Sequence, residues 1–565
     1  MVVGSSDDSM GATAHLNAIS VLGKLLLGRT SAPWLAVAAG LPVLAGAWLL
    51  LSPQRLVSRE MTVDLLFNLS GAWRLLHEHV PHVDYHDPVG TLSFLLTRLG
   101  FYIVGPSPQA FLIGETAFLA FAFSAAVIVA ARRLPPLPAA LFVLYVALLV
   151  LQPANVGDQP NAYTLAMSYN RWCWSALTTL CLILFLPPRD KGNRAWVDAA
   201  VAGLLLLAMF YLKVTFAAAG LGALMVALVA SDHIRMRWTL WGAVPLMLLA
   251  NAAAPYSHAY LADLWEAASG GYMRTSWPDH VRSFLANKAE YALYGCGVLV
   301  LFWLWQRGRA SWQPAFAAFF LLGMGVMVLS QNAQAAGVPI GIVIAFLIYD
   351  AVCTGRSAGA VGTLQIAPAL LLLPLLSIAA AATTVVGYHI VARHGDALFT
   401  VESTNLRGLA VPAEVDRAQA SFTAGEVPYQ IRSGVRIARL SQDASDFDYV
   451  QGLVEAAALF TDAGRGPTKI LMLDQVNALP FVLGYPPPRG GNLWLWPGPA
   501  RSAEDVFGDV DIVLVPKKPS LVTATVKALA QYERYLAENF FQHEETPRWI
   551  IYMRRQSAAL PPEPL

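Results

Sequence analysis

The residues best suited to chemistry fall in three places. Glu60 and Asp64 lie four positions apart, so on a helix both carboxylates would project from one face. The plainer reading of that pair is that acids near a helix N-terminus complement its dipole. Farther on, His77, His79, His82 and His86 stand within ten positions, alongside Asp84 and Asp87. Imidazole and carboxylate oxygen are competent ligands for zinc or manganese, which makes a divalent ion a candidate cofactor. Their spacing matches no strong motif, and a plain polar loop is the simpler expectation. Third, Arg171 in SYNRWCW and Lys213 in FYLKVTF interrupt apolar runs. An ionisable residue in such a setting is a functional hypothesis by default. The alternatives are snorkelling of Lys213 to the interface and anchoring of Arg171 beside Trp172 and Trp174.

The elements that must position these groups are mostly membrane spans. The chain has 565 residues, of which 56% are hydrophobic and only 13% charged, and its mean hydropathy is +0.51. Soluble domains carry about 25% charged residues, so this is the composition of a polytopic membrane protein. Disorder is excluded by the same numbers. The 38 Lys and Arg against 37 Asp and Glu offer no general attraction for nucleic acid. Cys173, Cys181, Cys296 and Cys353 lie in or beside apolar runs; their spacing fits no zinc set or disulfide framework, and packing accounts for them.

Apolar stretches recur from Pro33 to about Ile390. Spans are expected over Ala32–Leu51, Gln109–Ala131, Leu137–Leu151, Asn170–Leu186, Trp196–Leu212, Val214–Ala230, Thr239–Ala254, Tyr291–Gln306, Gln313–Leu329, Val338–Cys353 and Leu364–Val386, about eleven in all. Ser93–Val104 reads as a half-helix. Lys24, Arg29, Arg132, Arg133, Arg189, Lys191, Arg194, Arg235, Arg237, Arg307, Arg309 and Arg356 fall in alternate loops. The positive-inside rule then places the N-terminus in the cytoplasm and the C-terminus outside. Residues 1–31 read as a cytoplasmic segment, not a cleaved signal peptide, and 32–390 as the membrane domain. Residues 391–565, which hold roughly half of the charged residues, read as an extracytoplasmic α/β domain. Its expected elements are strands at Lys469–Gln475, Val510–Pro516 and Arg548–Arg554 and a helix over Leu521–Asn539. The loop GYPPPRGGNLWLWPGP suits either a sugar- or lipid-facing lip or simple packing on the membrane domain.

The first outer loop, residues 52–108, is the most informative stretch. Leu65, Leu66, Leu69, Trp73 and Leu76 share one helical face, while Asn68, Arg74, His77 and Glu78 fall elsewhere. That pattern predicts an amphipathic helix lying in the outer interface. Asp64 is followed by Gly71, a Leu-Leu pair and HVPHVDYHDPVG, then an apolar helix. This order resembles the GT-C superfamily of membrane glycosyltransferases, whose first extracytoplasmic loop opens on an acidic motif, runs into a juxtamembrane helix and carries a segment of the type G-x-P-Y-x-D…P-x-G-P-L. Here those positions read His79, Val80, Pro81, His82, Val83 and Asp84, then Pro88, Val89, Gly90, Thr91 and Leu92. The loop departs from the pattern at Thr91 and lacks an adjacent pair of acids at its start.

The resemblance implies a plan of about 11–13 transmembrane helices followed by a small C-terminal extracytoplasmic α/β domain. It implies a polyprenyl-phosphate sugar as donor, membrane lipids as surroundings, a lipid-linked, polysaccharide or protein acceptor, and no nucleic acid. An inverting displacement needs a general base on the acceptor hydroxyl and stabilisation of the leaving phosphate. Asp64 is the expected base, with Glu60 or Asp87 next in line. Arg171 and Lys213 are the expected phosphate ligands. His82, Asp84, Tyr85, Gln331 and Asn332 are the expected substrate contacts, although Gln331 and Asn332 serve equally well as helix caps. The implied location is a bacterial inner membrane with the C-terminal domain periplasmic. Two other classes compete: a transporter or flippase, which calls for an internal repeat and a polar midplane, and a non-catalytic assembly subunit. No P-loop, dinucleotide fingerprint or HExxH motif is present, so the chain carries no energy source of its own, which suits an activated lipid donor.

Overall fold

Long apolar runs become helices because hydrocarbon leaves backbone amides no partner outside the helix. The computed structural model describes residues 23–189, 195–235, 251, 256–269, 277–330, 337–354, 360–413, 444–462, 467–495 and 501–555. The helices in the first half are α1 (Ala32–Leu51), α2 (Thr62–Leu76), α3 (Leu92–Val104), α4 (Gln109–Arg133), α5 (Pro136–Leu151), α6 (Ser168–Phe185), α7 (Ala195–Leu212) and α8 (Val214–Ala230). There follow α9 (Ser257–Ser269), α10 (Trp277–Ala286), α11 (Lys288–Gln306), α12 (Gln313–Ser330), α13 (Gly341–Thr354) and α14 (Ala360–His394). Ten of the eleven expected spans coincide with these helices; Thr239–Ala254 falls almost wholly outside the described residues. Among the described residues, Ala32–Leu51, Gln109–Arg133, Ala195–Leu212, Gln313–Ser330 and Leu370–His394 are each long and apolar enough to cross a bilayer. The fold is that of a polytopic helical membrane protein. Val37, Leu41, Leu44 and Trp48 along α1 and Leu299 and Trp303 on α11 are exposed, as lipid-facing side chains must be.

The basic ends of the spans gather at one end of the bundle. Asp198 accepts from Arg132 at 2.7 Å and pairs with Arg133 at 2.9 Å, and Arg189 pairs with Asp350 at 3.7 Å. The charged C-terminal region lies at the other end. Its elements are β2 (Leu398–Thr400), β3 (Leu409–Pro412), α15 (Asp446–Asp462), β4 (Ile470–Met472), α16 (Leu479–Leu483), α17 (Ala503–Phe507), β5 (Ile512–Pro516), α18 (Val522–Asn539), β6 (Phe540–Glu545) and β7 (Trp549–Arg554). β4 to β7 form a mixed sheet in the order β4-β5-β7-β6, with only β4 and β5 parallel. The three expected strands and the helix are present. The hairpin strand β6 is an addition, its alternation hidden by the polar run QHEE.

A second sheet ties the two ends of the membrane domain together. The two-residue strand β1 (Leu56–Val57), directly after α1, pairs in parallel with β3, and β2 pairs antiparallel on β3's other side. Leu56, Val57, Leu409 and Ala410 are fully buried in it.

Candidate active site

Two helices start side by side at this end of the bundle. α2 begins after Met61 and α6 after Met167, and both methionines hold left-handed backbone, with φ of 55° and 50°. Arg59 N donates to Tyr163 O at 3.0 Å and Thr164 Oγ1 to Glu60 O at 2.8 Å, so the two lead-in segments are zipped together. Tyr163, Glu78 and His82 are also left-handed. Left-handed non-glycine residues are strained, and such strain concentrates at functional sites.

Asp64 sits in the first turn of α2 and is 1% exposed. Neither carboxylate oxygen makes a hydrogen bond of good geometry. Burial pushes its carboxyl up to about 7; the Met167 amide and Lys213 pull down, and Asp446 adds to the rise. Glu60 precedes Met61 and so lies off the helix; it does not share a helical face with Asp64. Its half-buried carboxyl is also raised, first by burial and then by Asp158 and Asp446.

The amphipathic reading of α2 needs correcting. Every residue from Thr62 to Leu75 is buried, Asn68 and Arg74 included. The face expected to meet water is covered by the C-terminal region. Trp73 Nε1 donates to Tyr485 O at 2.8 Å and Arg74 to Pro488 O at 2.6 Å. The Pro/Gly-rich loop is therefore packing against the first outer loop over Tyr485–Trp494, and Trp496 lies outside the described residues.

Lys213 interrupts α7 and α8 in extended backbone. Its Nζ donates to Asn170 Oδ1 at 3.1 Å and lies over the Tyr169 ring at 5.6 Å. Arg171 is fully buried; it donates to Ser168 Oγ at 2.7 Å and Val150 O at 3.2 Å and pairs with Glu115 at 3.6 Å. Lys213 thus faces the Asp64 pocket, whereas Arg171 sits one layer deeper and is held by Glu115.

The histidine-rich segment closes on an acid from a distant helix. Asp263 of α9, 6% exposed, accepts from His82 Nδ1 at 2.9 Å, His86 Nδ1 at 2.8 Å and the Asp87 amide at 3.1 Å. Arg501 completes its shell at 3.2 Å. Burial alone would raise the Asp263 carboxyl, but the bonds from His82 and His86 outweigh it and hold it at about 2. Burial pushes Asp87 well above the usual carboxylate range; one oxygen accepts from Val89 N at 2.8 Å and the other has no hydrogen bond. Asp84 accepts from Val80 N at 2.7 Å, with Arg489 at 3.8 Å. Tyr85 is buried with Arg74 over its ring at 5.3 Å. His79 is lowered to about 4 by burial and by Arg74, so it stays neutral near neutral pH. Among the described residues no group of three or more His, Cys, Asp or Glu side chains is arranged to hold a metal ion.

Gly90 explains the tight joint between this segment and the lysine. A Cβ there would lie 2.0 Å from Tyr211 O, and its amide donates to Leu212 O at 3.2 Å. Only glycine lets the segment touch the end of α7 next to Lys213.

Two solved structures align with almost the whole chain. ArnT from Cupriavidus metallidurans in the apo state covers 94% of this chain and 99% of its own, with 12% identity and a TM-score of 0.43. The same protein bound to undecaprenyl phosphate covers 94% and 100%, with 12% identity and a TM-score of 0.45. No protein-family model matches the chain, and no curated protein does.

A cavity of about 240 Å³ is lined among others by Gln152, Asn155, Glu290, Tyr294, Thr384 and Asp158, whose charge acts on Glu60. A larger one, about 840 Å³, lies among Ser231, Asp232, His233, Arg309 and Asp350. It is remote from Asp64, because Phe185 and Ala230 in its wall are the far ends of the helices whose near ends carry Arg171 and Lys213. Gln331 and Asn332 lie outside the described residues. Sequence reasoning passed over Glu115, Asn170, Asp263, Asp446 and Arg501. A lone acid inside the apolar Gln109–Ala131 run was the available signal for Glu115; the others emerge only from contacts between distant segments.

Proposed function

We propose that the protein is a membrane glycosyltransferase of the GT-C type, using a polyprenyl-phosphate sugar on the extracytoplasmic side of a bacterial inner membrane. The observation that carries the proposal is the buried Asp64 carboxylate, with no hydrogen bond of good geometry on either oxygen and a proton affinity near neutrality. General bases work best when matched to ambient pH. The acceptor hydroxyl, on a glycan, lipid or protein, gives its proton to Asp64 as its oxygen attacks the anomeric carbon from the face opposite the phosphate. The anomeric C–O bond breaks, and polyprenyl phosphate leaves with the electron pair. Lys213 supplies positive charge for that phosphate, and Arg171 supports it from the layer below. Glu60 and Asp87 are the next candidates for the base. His82, Asp84 and Tyr85 shape the acceptor side, and the polar wall of the 240 Å³ cavity suits sugar hydroxyls.

The test is incubation of the detergent-purified protein with a labelled polyprenyl-phosphate sugar and a membrane extract as acceptor source. Transfer by the wild type and its loss in Asp64→Asn, with a folded and inserted variant, are expected. Full activity in that variant refutes Asp64 as base. Vectorial movement of the lipid in liposomes without transfer would establish the transporter class instead, and neither activity the assembly subunit.

A further inference from the structure

The first turn of α2, which carries Asp64, lacks a cap from its own neighbourhood. The residue before it, Met61, has no side-chain acceptor, and no local side chain caps the helix. Yet the first amide, Thr62 N, is satisfied at 2.7 Å by Oδ1 of Asp446, which lies 384 positions later in the chain. Aspartate is among the side chains most suited to a free helix-start amide. Here it is delivered by another part of the protein. Its placement is fixed on the outer side: Asp446 opens α15, and Phe447 packs edge-on against Phe399 of β2 at 5.4 Å.

We propose that Asp446 is a positioning residue for the catalytic helix, capping its first amide from the C-terminal region and holding negative charge beside Asp64. The proposal rests on the transferase reading only for its kinetic consequence. The capped amide fixes the first turn, and so the direction in which Asp64 points. The charge acts on the same group, since Asp446 is one of the influences that raise Asp64's proton affinity. The other groups facing Asp64 act against it: the Met167 amide from α6 and Lys213 from the α7–α8 break. Around Asp446 stand Glu60, Asp64 and the Tyr449 hydroxyl. The neighbouring Asp448 is occupied by Lys518 and Arg548. No cation among these groups pairs with Asp446; burial pushes its own carboxyl up to about 6 against the bonds from Thr62 and Met61, so above that pH its charge is felt by Asp64.

The experiment uses the full-length protein with Asp446→Asn, which keeps an acceptor oxygen but loses the charge, and Asp446→Ala, which loses both. Infrared difference spectroscopy follows carboxyl protonation against pH, with Asp64 assigned by its absence in Asp64→Asn. The expected result for Asp446→Asn is an unchanged melting profile and an Asp64 midpoint lower by about half a pH unit or more. The acidic limb of sugar transfer from labelled polyprenyl-phosphate sugar should move down by the same amount. Asp446→Ala should show that shift and also a maximal rate reduced about tenfold or more, through misplacement of the base. An unmoved Asp64 midpoint in a folded Asp446→Asn overturns the charge role, and a wild-type maximal rate in Asp446→Ala overturns the positioning role. An infrared shift without transfer by any form, wild type included, upholds the coupling and refutes the transferase reading alone.

Discussion

Replacing Asp64 by asparagine should stabilise the protein while abolishing its activity, and the stabilisation should depend on pH. A free aspartate titrates near 3.8, whereas the folded carboxyl is pushed up to about 7. Below about pH 4 both states are protonated and the group has no effect on stability. Above that the unfolded chain gives up its proton while the folded protein retains it, so stability falls as pH rises, until the folded carboxyl also ionises near 7. A difference of about three pKa units corresponds to roughly 4 kcal/mol, and this is an upper bound because the asparagine amide is buried too. At about pH 8.5 the Asp64→Asn variant should therefore be the more stable by up to roughly 4 kcal/mol, and at about pH 5 by only about 1–2 kcal/mol. Tryptophan fluorescence of the detergent-purified protein during heating reads this as a rise in midpoint of roughly 2–4 °C at the higher pH. An equal gain at both pH values, or none at either, refutes a strained, ionising Asp64. Such a trade of stability for function is expected where a site must hold an uncomfortable charge.

Two further perturbations address the support of the site. Asp263→Ala removes the acceptor shared by His82, His86, the Asp87 amide and Arg501, and should cost about 3 kcal/mol or more, seen as faster hydrogen exchange over residues 77–90. In the wild type, the depressed Asp263 carboxyl contributes stability that is present above about pH 4 and lost as pH falls through about 2; exchange over the same segment should rise in that window. Arg171→Met leaves Glu115 buried beside no cation and should lower stability by about 3–5 kcal/mol. Adding Glu115→Leu should recover most of that loss in the same melting assay, and a double variant as unstable as the single one would refute the pairing.

The membrane plan is readable from local sequence because a span answers to one solvent: apolar length alone dictates helix, and Ala32–Leu51 and Val214–Ala230 match their runs to the residue. The orientation signal is equally local, resting on arginines in short loops. α2 is different. Its 3.6-residue pattern separates Asn68 and Arg74 from the apolar face, but it cannot say that the C-terminal region covers both faces, Tyr485 meeting Trp73 and Pro488 meeting Arg74. The histidine cluster was recognisable as a unit; its anchor Asp263 was not, since one acid in the segment 257–269 resembles any other. Asp64 drew notice by its position after the first span, while the two left-handed methionines that set its surroundings carry no sequence signature.

The pairing of Leu56–Val57 with Leu409–Ala410 bears on biogenesis. The ribosome delivers the helix bearing Asp64 among its first products, yet the strand and the aspartate that hold its entry in place emerge only after the last span has been made. Throughout synthesis, the early loop must wait beyond the first span with its acids unclamped. Chains released before residue 446 would insert as helices with the start of the Asp64 helix uncapped. Emergence of Asp446 is thus the step that completes the surroundings of Asp64, and quality control of this protein amounts to asking whether the segments flanking its membrane domain have met.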